Sequence, residues 1–126
     1  MKRLLIVDDS KLMRDMLVAC LRPLDEVTFE LAANGLEALE RLSLSAFDLI
    51  VLDLNMPDVG GLEVIQFVRA QDQLRTLPIL IVTTRADDET RTRLLLAGAS
   101  GFLAKPFAPD QILEAVRRLL PSKPAA

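Results

Sequence analysis

Short, almost purely apolar runs alternate with amphipathic stretches five times along this chain of 126 residues. The runs are rich in Val, Ile and Leu, and most of them lack polar alternation, as expected for strands buried on both faces. They lie near residues 3–8, 27–32, 48–53, 78–83 and 101–104. Five such strands alternating with five helices predict an α/β fold with an open, fully parallel sheet.

The stretches between the runs carry apolar residues at helical spacing, together with residues that begin and end helices. The first helix is expected between Ser10, a suitable N-cap, and Pro23, which would end it. We expect Asn34-Gly35 at the entry of the second helix, and the third helix to follow Gly60-Gly61. The fourth should run from about Asp88 to Ala97 with Gly98 as its C-cap, and the fifth should begin near Pro109-Asp110.

The length and a hydrophobic fraction of 51% indicate one domain with a large core. We assign residues 1–120 to this domain. Residues 121–126 lack helical or strand periodicity and are expected to form a flexible tail or the stub of a linker.

The charge and the cysteine content restrict the partners and the compartment. A formal net charge of −3 argues against direct binding of nucleic acid, which needs a basic patch. No apolar run approaches the roughly 20 residues of a membrane span, and no signal-peptide pattern precedes the first run. The single cysteine, Cys20, fits a reducing compartment, and its apolar neighbours predict that it is buried. We therefore expect a cytoplasmic protein that contacts neither nucleic acid nor a membrane.

Four of the apolar runs end in a polar residue of a definite kind. Asp8 and Asp9 close the first run, Asp53 the third and Thr83 the fourth, and Lys105 follows the fifth. The carboxyl ends of parallel strands meet at one edge of the sheet, where ligands bind at the point of reversed strand order. The sequence therefore predicts one site composed of three carboxylates, a hydroxyl and an ammonium.

This set of groups suits phosphoryl transfer with a divalent cation. Three adjacent carboxylates repel one another, and a cation relieves that repulsion. Because the chain has no histidine and one cysteine, the hard oxygen ligands favour Mg²⁺ or Mn²⁺ over zinc. Lys105 adds a second positive charge and Thr83 a hydroxyl donor. Asp53 can accept a phosphoryl group as an acyl phosphate, so phosphoryl transfer onto Asp53 is predicted.

In their order and separation, four motifs resemble those of the response-regulator receiver domain, a CheY-like family. The motifs are Val7-Asp8-Asp9-Ser10, Asp53-Leu54-Asn55-Met56-Pro57 with Gly61, Val82-Thr83 and Lys105-Pro106-Phe107. The resemblance extends from Arg3 to about Leu120. It implies a doubly wound, flavodoxin-like sheet in the order 2-1-3-4-5, and a signalling domain of a two-component system, with chemotaxis among its settings.

The resemblance also implies roles for the acidic residues. Asp53 would be the phosphoacceptor, taking its phosphoryl group from a histidine kinase or a phosphotransfer protein. Asp9, Asp53 and the backbone carbonyl of Asn55 would hold the metal ion, with Asp8 acting mainly through water. The protein would not be an enzyme in the usual sense, although it would catalyse its own phosphorylation and its slow dephosphorylation.

A conformational switch is implied as well. Thr83 and Lys105 would bind the phosphoryl oxygens, and the Lys105-Pro106 bond would be cis. On phosphorylation Thr83 would move inward and Phe102 would fill the vacated space. The face of the fourth helix, fifth strand and fifth helix would then bind a downstream target protein. The domain would be a monomer or a phosphorylation-dependent dimer.

Three positions depart from the usual family pattern. Phe102 stands where CheY-type proteins often have tyrosine, so it cannot offer a hydroxyl to a partner. Thr84 replaces a small residue, which predicts tighter access to the phosphoryl group. Val59-Gly60 replaces the more usual methionine and acidic or amide pair.

Other functions stay open at this level. A haloacid-dehalogenase-type phosphatase also uses an aspartate nucleophile with magnesium, but it carries a second aspartate where this chain has Asn55. A flavodoxin-like FMN binder needs a phosphate-binding loop, and Asp8-Asp9 would repel a phosphate there. The chain can also be a receiver segment of a larger multidomain regulator, a phosphate sink or relay, or a constitutive binding module.

Overall fold

Five parallel strands form one sheet in the order β2-β1-β3-β4-β5 in the computed structural model, which describes residues 1–121. The strands are β1 (Lys2–Val7), β2 (Val27–Ala32), β3 (Leu49–Leu52), β4 (Ile79–Thr83) and β5 (Gly101–Ala104). The helices are α1 (Lys11–Leu21), α2 (Gly35–Leu44), α3 (Gly61–Ala70), α4 (Asp88–Ala97) and α5 (Pro109–Leu119). The predicted α/β fold and its strand order are therefore confirmed. The predicted tail begins at Pro121, and its residues 122–126 lie outside the described part of the chain.

The helices cover both faces of the sheet, which explains why the strand sequences lack polar alternation. On one face α1 and α5 pack against the even-numbered residues of β1, such as Leu4 and Ile6. On the other face α2, α3 and α4 pack against Leu5 and Val7. Alternate residues of each central strand thus enter different core layers, and both layers are apolar.

The change of face between α1 and α2 determines where a ligand can bind. From β1 the chain passes through α1 to β2 at one edge, and then through α2 back across to β3 on the other side of β1. The crevice where strand order reverses therefore lies between the carboxyl ends of β1 and β3.

The predicted helix caps form. The Ser10 hydroxyl oxygen accepts a hydrogen bond from the Met13 amide at 3.2 Å, and the Asn34 side chain accepts one from Glu37 at 2.8 Å. Gly98 ends α4 with a φ of 121°, a left-handed conformation that favours glycine.

The exposure of α1 differs from the expectation for Cys20. This residue is half-buried rather than buried. Leu17 and Leu21 face the core, whereas Leu12, on the same row as Cys20, is 79% exposed. The apolar stripe of α1 is wider than the surface that the sheet and α5 cover, so its outer row stays partly in solvent. Among residues 1–121, no helix has both the length and the apolar character needed to cross a membrane.

A guanidinium joins α3 to the segments before β4 and before β5. Arg69 donates to the carbonyl of Gly98 from Nε at 3.0 Å and from Nη2 at 2.7 Å. Its Nη1 donates to the carbonyls of Arg75 at 2.9 Å and Leu77 at 2.7 Å. Burial lowers the pKa of this guanidinium from its ordinary value. Arg69 thus satisfies three carbonyls in two segments at once.

Replacing Arg69 by methionine should lower the free energy of unfolding by about 2–4 kcal/mol, because two partly buried carbonyls lose their donor. Urea unfolding followed by circular dichroism measures this change. Arg118→Met is the matched control, since its 3.7 Å pair with Glu114 is solvent-exposed, and it should change stability by less than about 0.5 kcal/mol. Equal effects of the two substitutions would contradict the assigned role of Arg69.

Candidate functional site

Backbone hydrogen bonds just beyond the strands fix the polar residues at the sheet edge. The Asp53 amide donates to the carbonyl of Val7 at 3.0 Å, so Asp53 extends the pairing of β3 with β1. The Asp8 amide donates to Ala32 at 3.2 Å and the Lys105 amide to Thr83 at 2.8 Å. Asp8 and Asp53 therefore inherit the positions of strands that are buried at their carboxyl ends, and Lys105 that of the half-buried edge strand β5.

These positions bring three carboxylates together. One oxygen each of Asp8, Asp9 and Asp53 lies within 4.8 Å of the others. Asp8 and Asp53 are buried, whereas Asp9 is exposed. An all-oxygen donor set of this size and charge fits a hard divalent cation such as Mg²⁺ or Mn²⁺. The predicted acidic cluster is thus present at the predicted edge.

Lys105 enters the cluster from the end of β5. Its Nζ lies 2.8 Å from Asp8 Oδ2 and 3.8 Å from Asp53 Oδ1, with 12% of its side chain exposed. The closer partner is therefore Asp8 and not Asp53, a preference that the sequence did not reveal. Asp8 Oδ1 also accepts the Ser10 amide at 2.9 Å. Both oxygens of Asp8 therefore have donors already, which leaves Asp9 and Asp53 with more free lone pairs.

The environment raises the pKa of Asp53 to about 6. Burial is the largest cause, because it disfavours the charged form, and the neighbouring charges of Asp8 and Asp9 act in the same direction. Lys105 and the hydrogen bond from the Asn55 amide, at 3.4 Å, oppose this rise. The charged form of Asp53 is therefore costly in the folded protein, mainly because of its burial, despite the nearby lysine.

Asn55 lies two residues beyond Asp53 in the loop that leads to α3. Its side chain is exposed. The loop turns back at Asp58, whose φ of 64° is left-handed, a conformation that aspartate tolerates better than most residues. The Gly61 amide then donates to the Leu54 carbonyl at 3.1 Å, which holds the start of α3 against the chain next to Asp53.

Thr83 and Phe102 lie on the side of the site nearest α4. The Thr83 hydroxyl is buried and accepts the Arg85 amide at 3.2 Å, which leaves its own proton available to an acceptor. Phe102 is half-buried, and the Arg91 guanidinium lies 5.9 Å from its ring centre. Thr84 is exposed. The Lys105–Pro106 peptide bond is cis.

Two contacts in this region were not predicted from the sequence. The guanidinium of Arg14 donates to the carbonyl of Asp8 at 2.7 Å, and Arg91 covers Phe102. One signal for Arg14 was present in the sequence, since a cation near a helix N-terminus opposes the helix dipole. For Arg91 we find no comparable signal.

Comparisons with known proteins agree with this geometry. The family model for the response regulator receiver domain matches residues 4–117. Chemotaxis protein CheY-3 of Vibrio cholerae serotype O1 is 34% identical over 117 residues, which cover 93% of this chain and 90% of that protein. The structure of the chemotaxis response regulator CheY4 of Vibrio cholerae has a TM-score of 0.88 at 38% identity and covers 95% of this chain and 99% of its own.

A third similar protein is the receiver domain of the sensor histidine kinase PA1611 from Pseudomonas aeruginosa. Its TM-score is 0.84 at 29% identity, with 94% of this chain and 96% of that domain covered, and it contains a magnesium ion in its active site cleft. Fold, site and comparisons together define a two-component signalling domain rather than a classic enzyme. The chain belongs to the CheY-like response-regulator receiver family, so the resemblance inferred from the sequence is confirmed.

Replacing Asp53 by asparagine should stabilise the metal-free protein at neutral pH. The pKa of Asp53 is raised from 3.8 to about 6 in the folded state, so the stabilising proton is bound at low pH and lost as the pH rises through about 6. Above about pH 7 the variant should gain roughly 1–3 kcal/mol over the native protein, and below about pH 4 it should gain little. Thermal unfolding in EDTA across this pH range measures the difference. A pH-independent effect would contradict the explanation that burial, helped by the neighbouring carboxylates, penalises the charged form of Asp53.

Gly61→Ala should displace the backbone next to the proposed phosphoacceptor. A Cβ at Gly61 would lie 2.9 Å from both the Asp53 carbonyl oxygen and Leu54 Cα, and we expect a loss of about 1–3 kcal/mol in stability. The neighbouring Gly60 is the control, because a Cβ there meets no atom closer than 3.8 Å, and Gly60→Ala should cost less than about 1 kcal/mol. Amide chemical shifts of residues 53–55 should move in the first variant only. Unmoved shifts in Gly61→Ala would show that the loop absorbs the extra carbon.

Proposed function

We propose that this domain accepts a phosphoryl group on Asp53 from the phosphohistidine of a histidine kinase or a phosphotransfer protein, with Mg²⁺ or Mn²⁺ as cofactor. The observation that carries this proposal is the position of Asp53. It lies in an acidic cluster at the strand-order reversal, 3.8 Å from the Lys105 ammonium. Few arrangements other than phosphoryl-group binding explain acids, an ammonium and a buried hydroxyl at one sheet edge.

The ligands proposed for the metal are the side chains of Asp9 and Asp53 and the backbone carbonyl of Asn55. Asp8 would act through water, because Lys105 and the Ser10 amide already bind its oxygens. The magnesium ion in the related PA1611 receiver domain supports the choice of metal. When bound, the cation would neutralise charge on the carboxylates and on the incoming phosphoryl oxygens.

In the proposed transfer, an Asp53 carboxylate oxygen attacks the phosphorus of the donor phosphohistidine. The new O–P bond forms as the P–N bond breaks, and the bond electrons remain with the departing imidazole. Because the pKa of Asp53 is about 6, most of the carboxylate is ionised at neutral pH. Lys105 would exchange part of its contact with Asp8 for the phosphoryl oxygens, and the Thr83 hydroxyl would donate to one of them.

The same contacts support a switch. Drawing Thr83 towards the phosphoryl group would open space beside β4, and half-buried Phe102 would turn into it. The buried side chains of α4 are only Thr90 and Leu94, so this helix can adjust at small energetic cost. The face formed by α4, β5 and α5 would then change its affinity for a downstream target protein. By likeness to the two Vibrio chemotaxis proteins, a chemotaxis pathway is one proposed setting.

Incubation of the protein with acetyl phosphate and Mg²⁺ should add the mass of one phosphoryl group. EDTA and Asp53→Asn should each abolish the adduct, since the first removes the cation and the second the nucleophile. Asp58→Asn is the matched control: it makes the same chemical change on an exposed loop residue, at a left-handed position that asparagine tolerates. Intact-mass spectrometry gives the result directly.

An adduct that persists in Asp53→Asn would refute the assignment of the phosphoacceptor. If hydrolysis is fast, fluoroberyllate provides a stable surrogate for the phosphoryl group. Its binding should shift amide resonances of Thr83, Phe102 and α4, and the absence of shifts in α4 would contradict the proposed switch.

A further inference from the structure

The dipole of its own helix disfavours Arg14, whereas the adjacent acidic cluster favours it. It is the fourth residue of α1, near the helix N-terminus where the dipole presents positive charge, and the first turn holds no acidic residue. Its side chain, half-buried, reaches back towards the helix N-terminus, as long helical side chains do. There Nη1 donates to the carbonyl oxygen of Asp8 at 2.7 Å.

The turn held by this contact carries Asp9. Asp8 is fixed at its amide by Ala32, at its side chain by Ser10 and Lys105, and at its carbonyl by Arg14. Asp9, in contrast, is exposed, and within residues 1–121 no hydrogen bond or ion pair fixes its carboxylate. The direction of the Asp9 side chain therefore depends on the backbone, and the peptide between Asp8 and Asp9 is the one that Arg14 holds.

We propose that Arg14 is a positioning residue of the metal site: by holding the Asp8 carbonyl it directs the Asp9 carboxylate towards Asp53. This inference rests on the proposed function, because it concerns the same metal. Donors that orient metal ligands from outside the ligand set affect metal affinity strongly, since they fix ligand geometry before the ion arrives.

The sign of the effect separates positioning from simple charge. Arg14 is a cation beside a cation site, so its charge alone weakens metal binding, and removal of that charge should tighten it. Loss of the hydrogen bond from Arg14 to the Asp8 carbonyl acts in the opposite direction, because it should weaken metal binding. It should also affect Mg²⁺ more than Ca²⁺, because Mg²⁺ requires near-ideal octahedral geometry whereas Ca²⁺ accepts irregular sites.

The test is calorimetric titration of the metal-stripped protein with MgCl₂ and then with CaCl₂. Arg14→Met removes the donor and the charge but keeps the apolar stem, and Mg²⁺ should bind roughly tenfold more weakly, with a smaller loss for Ca²⁺. Arg14→Lys keeps the charge and a hydrogen-bond donor, so its Mg²⁺ affinity should lie between those of the native protein and Arg14→Met. Arg117→Met makes the same change on an exposed residue of α5 and should bind as the native protein does.

Equal or tighter Mg²⁺ binding by Arg14→Met would overturn the positioning role while leaving the proposed function intact. Failure of the native protein to bind Mg²⁺ would overturn both. Thermal unfolding verifies that each variant is folded. If the methionine variant does not fold, the lysine variant decides the question, because unchanged Mg²⁺ affinity in it would also refute the role. Coupling with Asp9→Asn gives an independent measurement, since Arg14→Met should cause no further loss in that background.

Discussion

Mutual repulsion of three carboxylates is the constraint on which this end of the molecule depends. Asp8, Asp9 and Asp53 have oxygens within 4.8 Å of one another, and two of these residues are buried. Burial adds to this repulsion and is the largest cause of the raised pKa of Asp53, which Lys105 offsets only in part. Such a cluster persists only because the surrounding structure holds it, and its remaining shortage of positive charge prepares it for a cation and a phosphoryl group.

The frame that holds the cluster is the apolar sheet. Backbone hydrogen bonds extend the register of the strands to Asp8, Asp53 and Lys105, and β1 and β3, which Asp8 and Asp53 follow, are buried at their carboxyl ends. Close approach of Gly61 to the backbone at Asp53 adds the loop before α3 to this frame. The rigid part of the site is therefore continuous with the core of the protein. A substitution that changes the packing of β1 or β3 should also change the geometry of the site.

The side of the site towards α4 is held differently. Arg69 fixes the Gly98 carbonyl at the C-terminal end of this helix, whereas its first turn depends on the Asp87 cap and the buried Thr90. Phe102, next to it, is covered by a solvent-exposed arginine rather than by the core alone. The acidic cluster is held rigidly, whereas Phe102 beside it is only partly covered. This arrangement is suited to transmit a change of charge at the site to a surface that binds a partner.

Local patterns determined the strands, the helix ends and the members of the site. Buried runs mark strands, Ser10 and Gly98 mark caps, and strand ends in a parallel sheet converge, so the grouping of the acids with Thr83 and Lys105 was predictable. Tertiary structure decided the rest. Lys105 lies nearer to Asp8 than to Asp53, Arg14 bonds the Asp8 carbonyl, and Cys20 is only half-buried. Long side chains with several rotatable bonds choose among partners by the packing around them, and that packing has no local signature in the sequence.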